Sequence, residues 1–224
     1  PARTCSASLN GKFITFEGID GSGKSTQLQM LDGYLRSQGI DPVITREPGG
    51  TPLGEKLRRA FLETTETVAP MAELLAFAAD RAQHVEYLIR PSIERGLVVI
   101  SDRFADATYA YQGAGRGFPE DKVLQVIDLA TGGLKPDLTL FFDIPVTVAL
   151  ERMASRDHSA DIKNRMDEET SEFYERVREA YLSIARKEPS RFVVIDATGT
   201  PQEIHREVLD RVRGLIGLPA ASLG

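Results

Sequence analysis

The chain has 224 residues, of which 42% are hydrophobic and 27% charged, and its formal net charge is −6. This acidity argues against nucleic acid as the main partner, because duplex binding requires a basic surface. The single cysteine, Cys5, excludes an intrachain disulfide, and no run of about 18 apolar residues predicts a membrane span. We therefore expect a globular, cytoplasmic protein with no nucleic-acid or membrane partner.

Five short apolar segments predict five β-strands. They are rich in β-branched residues and do not alternate with polar ones, which indicates strands buried on both faces of a parallel sheet. The segments are residues 13–16, 43–45, 97–101, 138–143 and 192–196. Helical spacing of apolar residues follows at 28–35, 74–88, 123–130, 173–184 and 204–215. This alternation predicts an α/β fold with helices on both faces and ligands at the carboxyl ends of the strands.

A phosphate-binding motif follows the first predicted strand and precedes the first predicted helix. Residues 18–25 form G-x-x-x-x-G-K-S, the Walker A pattern, in the strand–loop–helix context that it requires. Backbone N–H groups and the helix N-terminus would surround an anion there. We expect Lys24 to neutralise the β- and γ-phosphates of a nucleotide and Ser25 to bind Mg²⁺. The loop alone leaves open a GTPase, an ATPase motor or a small-molecule kinase, although the N-K-x-D guanine signature is missing.

Two further segments follow the second and third strands, at the same edge of the sheet. In "TREPGGTPLGE" (45–55), Arg46 is suited to pair with a phosphate or carboxylate, and Glu47–Pro48 is a candidate cis peptide bond. In "SDRFADATYAYQGAGRG" (101–117), Asp102 ends a strand as a Walker B carboxylate does, and Arg103 would reach a second anion. Asp143 is the alternative carboxylate for Mg²⁺, unless it caps the helix that follows it.

Two segments lack a strand context. Phe77 and Arg81 are four residues apart, so they share one helix face and together suit a planar base, although a core Phe and a surface Arg would show the same spacing. Residues 151–164, "ERMASRDHSADIKN", are polar and mixed in charge. They predict either a solvated connection or a mobile lid over a site.

Taken together, these segments resemble the thymidylate kinase family, of the bacterial type. The matching stretches are "FITFEGIDGSGKSTQ", "TREPGGTPLGE", "LLAFAADRAQH", "SDRFADATYAYQGAGRG" and "NRMDEETSEFYERVREAYLSIA". The resemblance implies a three-layer P-loop kinase fold with a small lid, ATP-dependent phosphorylation of dTMP to dTDP, Mg²⁺, and a homodimer. It implies one domain over residues 12–216 with a lid at about 151–165, between an N-terminal extension (1–11) and a C-terminal tail (217–224).

The resemblance also implies residue roles. It places ATP on Gly18, Ile19, Asp20, Gly21, Ser22, Gly23, Lys24, Ser25 and Thr26. It places dTMP on Asp20, Arg46, Glu47, Phe77, Arg81, Arg103, Thr108, Tyr111 and Gln112, and Mg²⁺ on Ser25 and Asp102. Phe77 would stack on thymine, Arg81 would read its O4, Thr108 and Gln112 would face its N3 edge, and Tyr111 would crowd the 2′ carbon. The implied catalytic set is Lys24, Arg152, Arg156, Arg103 and Asp20.

Because Gly21 has no side chain, we expect the catalytic arginine to lie in the predicted lid. The eukaryotic type of the family carries an arginine inside the loop, and here that position is Gly21. Because transfer between two nucleotides brings anionic phosphates together, the missing cation must come from elsewhere. Arg152, Arg156 and Arg165 are the candidates. The alternatives at this stage are another nucleoside monophosphate kinase of the same fold, or a nucleotide-sensing module that has lost transfer.

Overall fold

A computed structural model describes residues 11–155 and 169–218. Its centre is a five-stranded, wholly parallel sheet with the strand order β2-β3-β1-β4-β5. The strands are β1 Lys12–Glu17, β2 Val43–Arg46, β3 Val98–Asp102, β4 Leu138–Asp143 and β5 Phe192–Asp196. The predicted five-stranded parallel sheet is therefore confirmed.

Helices separate or follow the strands, and the five segments predicted from apolar spacing overlap α1, α3, α6, α8 and α9. They are α1 Lys24–Ser37, α2 Pro52–Leu62, α3 Pro70–His84, α4 Arg90–Glu94, α5 Ala105–Thr108, α6 Glu120–Thr131, α7 Val146–Ala154, α8 Ser171–Lys187 and α9 Pro201–Ile216. Two π-helical turns, Val85–Ile89 and Tyr109–Gly115, join α3 to α4 and extend α5. Such turns occur often at functional sites.

The central strand, β1, brings together the segments that carry the predicted site. It pairs with β3 in a register that sets Phe16 opposite Asp102, and β2 pairs with β3 so that Arg46 also lies opposite Asp102. Since parallel strands end at one edge of a sheet, the loops after β1, β2 and β3 meet there. On the other side of β1, Glu17 lies opposite Phe141 of β4.

Side chains of β1 alternate between two buried layers. Phe13 meets Phe104 edge-to-face with ring centroids 4.8 Å apart, while Phe16 contacts Phe142 at 5.1 Å. The larger core cluster joins the sheet to helices α1, α8 and α9, and the smaller one joins it to the α3–α4 helix. The predicted apolar faces of α8 and α9 are buried at Phe173, Val177, Tyr181, Ile184, Ile204, Val208 and Val212.

The prediction that every strand is buried on both faces is wrong for the two edge strands. Residues Val43–Thr45 of β2 are half-buried and Arg46 is exposed, and Val194 of β5 is also exposed. An edge strand has a neighbour on only one side, so the layers above and below do not close over it.

Parts of the predicted domain organisation lie outside the described residues. They are positions 1–10 of the N-terminal extension, 156–165 of the lid, and 219–224 of the tail. The first residues of the predicted lid, 151–154, belong to helix α7. None of the helices in the described ranges has the length and apolar character needed to span a bilayer.

Candidate active site

The loop between β1 and α1 adopts a backbone that glycine permits. Gly18, Gly21 and Gly23 have φ values of 145°, 83° and 90°, which L side chains rarely adopt. Lys24 is the first residue of α1 and is buried, and its Nζ donates to the carbonyl oxygens of Gly18 (2.9 Å) and Ile19 (3.2 Å). Burial lowers the pKa of the Lys24 ammonium. The lysine thus lies across the loop.

Gly21 is where helix α7 closes on this loop. A Cβ at Gly21 would lie 2.7 Å from the carbonyl oxygen of Ala149. Nη1 of Arg152, from the same helix, donates to the Gly21 carbonyl oxygen at 3.3 Å and to that of Ala197 at 3.4 Å. An arginine from α7 therefore reaches the loop at the residue that has no side chain. Arg156 and Arg165 lie outside the described residues.

A cavity of about 120 Å³ opens beside the loop. Its lining includes eight of the nine residues predicted for the acceptor nucleotide: Asp20, Glu47, Phe77, Arg81, Arg103, Thr108, Tyr111 and Gln112. The other lining residues are Pro48, Arg58, Leu62, Asp80 and Ala107. We call this cavity the acceptor pocket.

Arg81 anchors the end of the acceptor pocket where the base is predicted. Three of its N–H groups are engaged: Nε donates to Glu47 Oε2 (2.8 Å), Nη1 to Thr108 Oγ1 (2.8 Å) and Nη2 to the Phe104 carbonyl (2.9 Å). A guanidinium has five N–H groups, so two remain for a ligand. Gln112 Nε2 donates to the buried Glu73 Oε1 at 2.9 Å, which fixes the amide and leaves its carbonyl oxygen as an acceptor.

In the structure, the Glu47 carboxylate is hydrogen-bonded to other side chains of the protein. Its two carboxylate oxygens bond to Arg81 Nε and to His84 Nδ1, both at 2.8 Å, and its side chain is buried. The Glu47–Pro48 bond is cis, so that prediction is confirmed. The glycines that follow approach α3: Gly49 N–H donates to Asp80 Oδ1 (3.1 Å), and a Cβ at Gly50 would lie 2.3 Å from His84 Nε2.

Cations and a carboxylate line the opposite end of the acceptor pocket. Arg103 Nη2 donates to Asp20 Oδ1 at 2.9 Å, and the Arg103 guanidinium lies 4.8 Å from the ring centroid of Tyr111. Arg58 Nη1 donates to the Pro48 carbonyl at 3.0 Å. Arg46 Nη2 instead lies 3.5 Å from Glu55 Oε1, with 53% of its side chain exposed, and does not line the pocket.

Arg58 is the site residue that the motifs missed. It follows Gly54 by four residues and precedes Phe61 and Leu62 by three and four, which is helical spacing on one face. Of these neighbours, Gly54 is buried and Phe61 and Leu62 are half-buried. That spacing is a signal that could have placed Arg58 on the inward face of the helix.

The two aspartates considered for Mg²⁺ differ in their partners. Asp102 Oδ1 is buried and has no hydrogen-bond partner within the described ranges, and Asp102 lines a second cavity together with Ser25. The Asp143 carboxylate instead accepts hydrogen bonds from Arg178 Nε (2.6 Å) and Nη2 (2.9 Å). It does not cap α7. Magnesium usually takes one or two protein oxygens plus phosphates and waters. The residues present therefore fit the ion at Ser25 and Asp102.

The P-loop, the neighbouring carboxylate and the opposing pocket define a class of protein. A P-loop holds the phosphates of one nucleotide, and a second pocket with an arginine-rich end and an aromatic end suits another. The fold and site are those of a P-loop nucleotide kinase.

Comparison with known proteins places the chain within that class. The family model described as thymidylate kinase matches residues 16–208. The chain is 50% identical to the thymidylate kinase of Desulfovibrio desulfuricans, with 86% of this chain and 90% of that protein covered. It is 47% identical to the thymidylate kinase of Carboxydothermus hydrogenoformans, with 93% and 100% covered. The crystal structure of thymidylate kinase from Ehrlichia chaffeensis superposes with a TM-score of 0.71 at 36% identity, covering 91% of this chain and 99% of that one. The chain belongs to the thymidylate kinase family.

The contact between Gly21 and helix α7 generates a prediction. Gly21→Ala is expected to lower kcat by about tenfold or more, because the new Cβ forces Ala149 and Arg152 away from the loop. Gly39→Ala is the matched control, since Gly39 has a similar φ of 76° but open space around its Cβ position. In both variants the positive φ should lower the free energy of unfolding by about 1–2 kcal/mol, which denaturant unfolding measures. Equal kcat values for the two variants would contradict the role of this contact.

Proposed function

We propose that the P-loop holds ATP and the acceptor pocket holds dTMP, so that the two phosphate chains meet between Lys24 and Arg103. As a member of the thymidylate kinase family, the protein is an ATP-dependent kinase that converts dTMP to dTDP and releases ADP. The observation that carries the residue assignment is one cavity, beside the P-loop, that gathers an aromatic ring, a base-facing arginine and phosphate-facing arginines.

The base end of the pocket suits thymine. Phe77 offers a ring for stacking, and the two uncommitted N–H groups of Arg81 suit a carbonyl oxygen such as O4. The fixed carbonyl oxygen of Gln112 suits the N3–H donor, with the Thr108 hydroxyl nearby. A cytosine would present an amino donor to Arg81, and two donors facing each other leave both unpaired. Tyr111 would lie against the 2′ carbon of the sugar.

The phosphate end suits the transferring group. Arg103 and Arg58 are placed to hold the acceptor phosphate, and Lys24 and Arg152 to approach it from the donor side. Positioning and charge neutralisation supply most of the catalysis of phosphoryl transfer. Asp20 lies within this group of cations, where its carboxylate orients Arg103 and is available to the acceptor sugar 3′-OH.

We also propose Mg²⁺ as the cofactor, held by the Ser25 hydroxyl and by Asp102. When bound, the ion would neutralise negative charge on the donor phosphates. The protein's own contribution is to orient these two ligands: Asp102 closes strand β3, and Ser25 follows Lys24 in the first turn of α1.

The acceptor is tested with a coupled assay that compares dTMP with dUMP, dCMP and dGMP at saturating ATP. We expect dTMP to give the highest kcat/KM and dCMP to fall by at least about a hundredfold, because of the unpaired donors. Equal or better turnover of another acceptor would point to a different nucleoside monophosphate kinase. Binding of both nucleotides without turnover would point to a sensing module.

Adjacent arginines of α2 allow a matched test of the acceptor phosphate site. Arg58→Ala is expected to lower kcat/KM for dTMP by about 10- to 100-fold, the value of one hydrogen bond to a charged group, while KM for ATP stays constant. Arg59→Ala, the control, removes an exposed arginine next to it and should leave both parameters unchanged. Equal losses of kcat/KM in the two variants would show that Arg58 does not bind the acceptor phosphate.

The metal ligand is tested by Mg²⁺ titration of the initial rate. Asp102→Asn is expected to raise the half-saturating Mg²⁺ concentration roughly tenfold or more, because a neutral amide binds the ion more weakly than a carboxylate does. Asp143→Asn should leave it within about twofold, since both Asp143 oxygens already accept from Arg178. The reverse ranking would make Asp143 the ligand.

We further propose a homodimer, in the cytoplasm, with α3 and α6 at the interface. These two helices pack side by side, and Met71 and Leu75 of α3 and Leu124 of α6 are 50%, 53% and 47% exposed. Exposed apolar residues grouped in this way are typical of a protein–protein interface. The lone Cys5 suits the reducing cytoplasm, where both substrates are also found.

The dimer is tested by light scattering after size exclusion. The wild-type protein should elute at about twice the 24.6 kDa mass of one chain, and Leu75→Glu should elute as a monomer because the interface would bury an unpaired charge. Leu53→Glu is the control, since Leu53 on α2 is 48% exposed but lies outside this surface. A wild-type monomer, or loss of the dimer in Leu53→Glu, would contradict the assignment.

A further inference from the structure

We propose that Glu17 is a positioning residue for Arg103: its buried carboxyl holds the peptide that follows Arg103 and so aims the arginine into the acceptor pocket. The inference rests on the proposed function, in which Arg103 binds the acceptor phosphate. Glu17 is the last residue of β1, directly before the P-loop, and would itself touch neither nucleotide.

Arg103 has an unfavourable backbone conformation. Its φ of 73° makes it the one non-glycine residue with positive φ among residues 11–155 and 169–218. A non-glycine residue in this region is unfavourable and persists only where the surroundings determine it. The conformation sends the side chain to Asp20 and Tyr111. The contacts that hold this backbone therefore decide where the guanidinium points.

Hydrogen bonds from several segments fix the backbone of Arg103 and Phe104. Arg103 N–H donates to the Phe16 carbonyl (2.9 Å), and Ser101 Oγ donates to the Arg103 carbonyl (2.7 Å). Phe104 N–H donates to Glu17 Oε1 (2.7 Å), and its carbonyl accepts from Arg81 (2.9 Å). The Phe104 N–H belongs to the peptide that sets ψ of Arg103. Glu17 is thus the side chain that holds the turn from the P-loop side.

Glu17 is itself held rigidly. It is fully buried, and its other oxygen, Oε2, accepts from the hydroxyl of Tyr181 on α8 at 2.8 Å. The Tyr181 ring stacks on Phe141 of β4 with centroids 4.8 Å apart. The Glu17 carboxyl is therefore held between α8 and the Arg103 turn. It cannot follow the Phe104 N–H if the backbone of that turn is displaced.

The electrostatics favour a positioning role over a charge pair. Burial, with a smaller contribution from Asp106, raises the pKa of Glu17 to about 8, against the opposing effect of Arg103. A neutral acceptor can hold the Phe104 amide without cancelling the positive potential that Arg103 and Lys24 present to two phosphates.

The test is a double-mutant cycle between Glu17 and Arg103. Glu17→Ala, Arg103→Ala and the double variant are compared in kcat/KM for dTMP and, independently of turnover, in Kd for dTMP by calorimetry. We expect Glu17→Ala to weaken dTMP binding by about 10- to 100-fold with KM for ATP within about twofold. The double variant should lose no more than Arg103→Ala alone, since Glu17 acts through that residue.

A conservative variant separates the hydrogen bond from the charge. Glu17→Gln keeps an oxygen for the Phe104 N–H and a polar group for Tyr181, so it should bind dTMP within about threefold of wild type. Tyr181→Phe removes only the hydrogen bond to Glu17 Oε2. Its affinity for dTMP should lie between the affinities of Glu17→Gln and Glu17→Ala. Should Glu17→Ala not fold, Glu17→Asp takes its place in the cycle, because it withdraws the acceptor by one methylene while keeping the carboxyl.

The outcomes separate this inference from the proposed function. Additive losses in the cycle, an equal rise in KM for ATP, or a Glu17→Gln protein as impaired as Glu17→Ala would overturn the positioning role. Wild-type protein that binds dTMP but phosphorylates a different acceptor faster would instead overturn the proposed substrate and leave the cycle interpretable. If Arg103→Ala bound dTMP as tightly as the wild type, Arg103 would not be part of the acceptor site. The proposed role of Glu17 would then be wrong as well.

Discussion

The site depends on the parallel register between β1 and β3. Pairing Phe16 with Asp102 sets the start of the P-loop beside the start of the Asp102–Phe104 turn. A shift by one residue would turn every β1 side chain to the opposite layer. Glu17 would then leave Phe104 and Tyr181 and lose both hydrogen-bond partners inside the core. The donor loop and the acceptor arginine are therefore placed relative to each other by one strand pairing.

A second constraint is the number of charges that the acceptor pocket buries. Arg81, Glu47, Asp80 and Glu73 are all nearly inaccessible to solvent, and buried charges are tolerated only when they are paired and hydrogen-bonded. Arg81 meets this demand with Glu47, Thr108 and the Phe104 carbonyl, and Glu47 also bonds to His84. The same contacts link the base end of the pocket to the Arg103 turn, so the two ends of the acceptor are held by one connected set of residues.

Most residues predicted for the acceptor nucleotide line one cavity, and each exception has its own reason. Phe77 and Arg81 were singled out by helical spacing, and Thr108, Tyr111 and Gln112 by the family resemblance; all five line the acceptor pocket. The family resemblance placed Arg46, just after the second predicted strand, near the acceptor phosphate. In the structure Arg46 belongs to an edge strand, and its side chain is exposed beside Glu55. Arg58 was missed because neighbouring arginines in a helix differ only in the direction they face. Glu17 follows the predicted strand 13–16 and received no role, whereas in the structure it is the last residue of β1 and is buried.

Local patterns and backbone chemistry predicted the P-loop, the five parallel strands and the edge of the sheet where ligands gather. Five matching segments in order indicated the family. Burial and distant partners instead set which arginine of α2 lines the pocket, and that Asp143 pairs with Arg178 while Asp102 Oδ1 has no hydrogen-bond partner among the described residues. They also set the contact of Glu17 with the turn that carries Arg103. Those outcomes depend on burial and on partners distant along the chain, such as Tyr181 for Glu17, and no local pattern encodes such pairings.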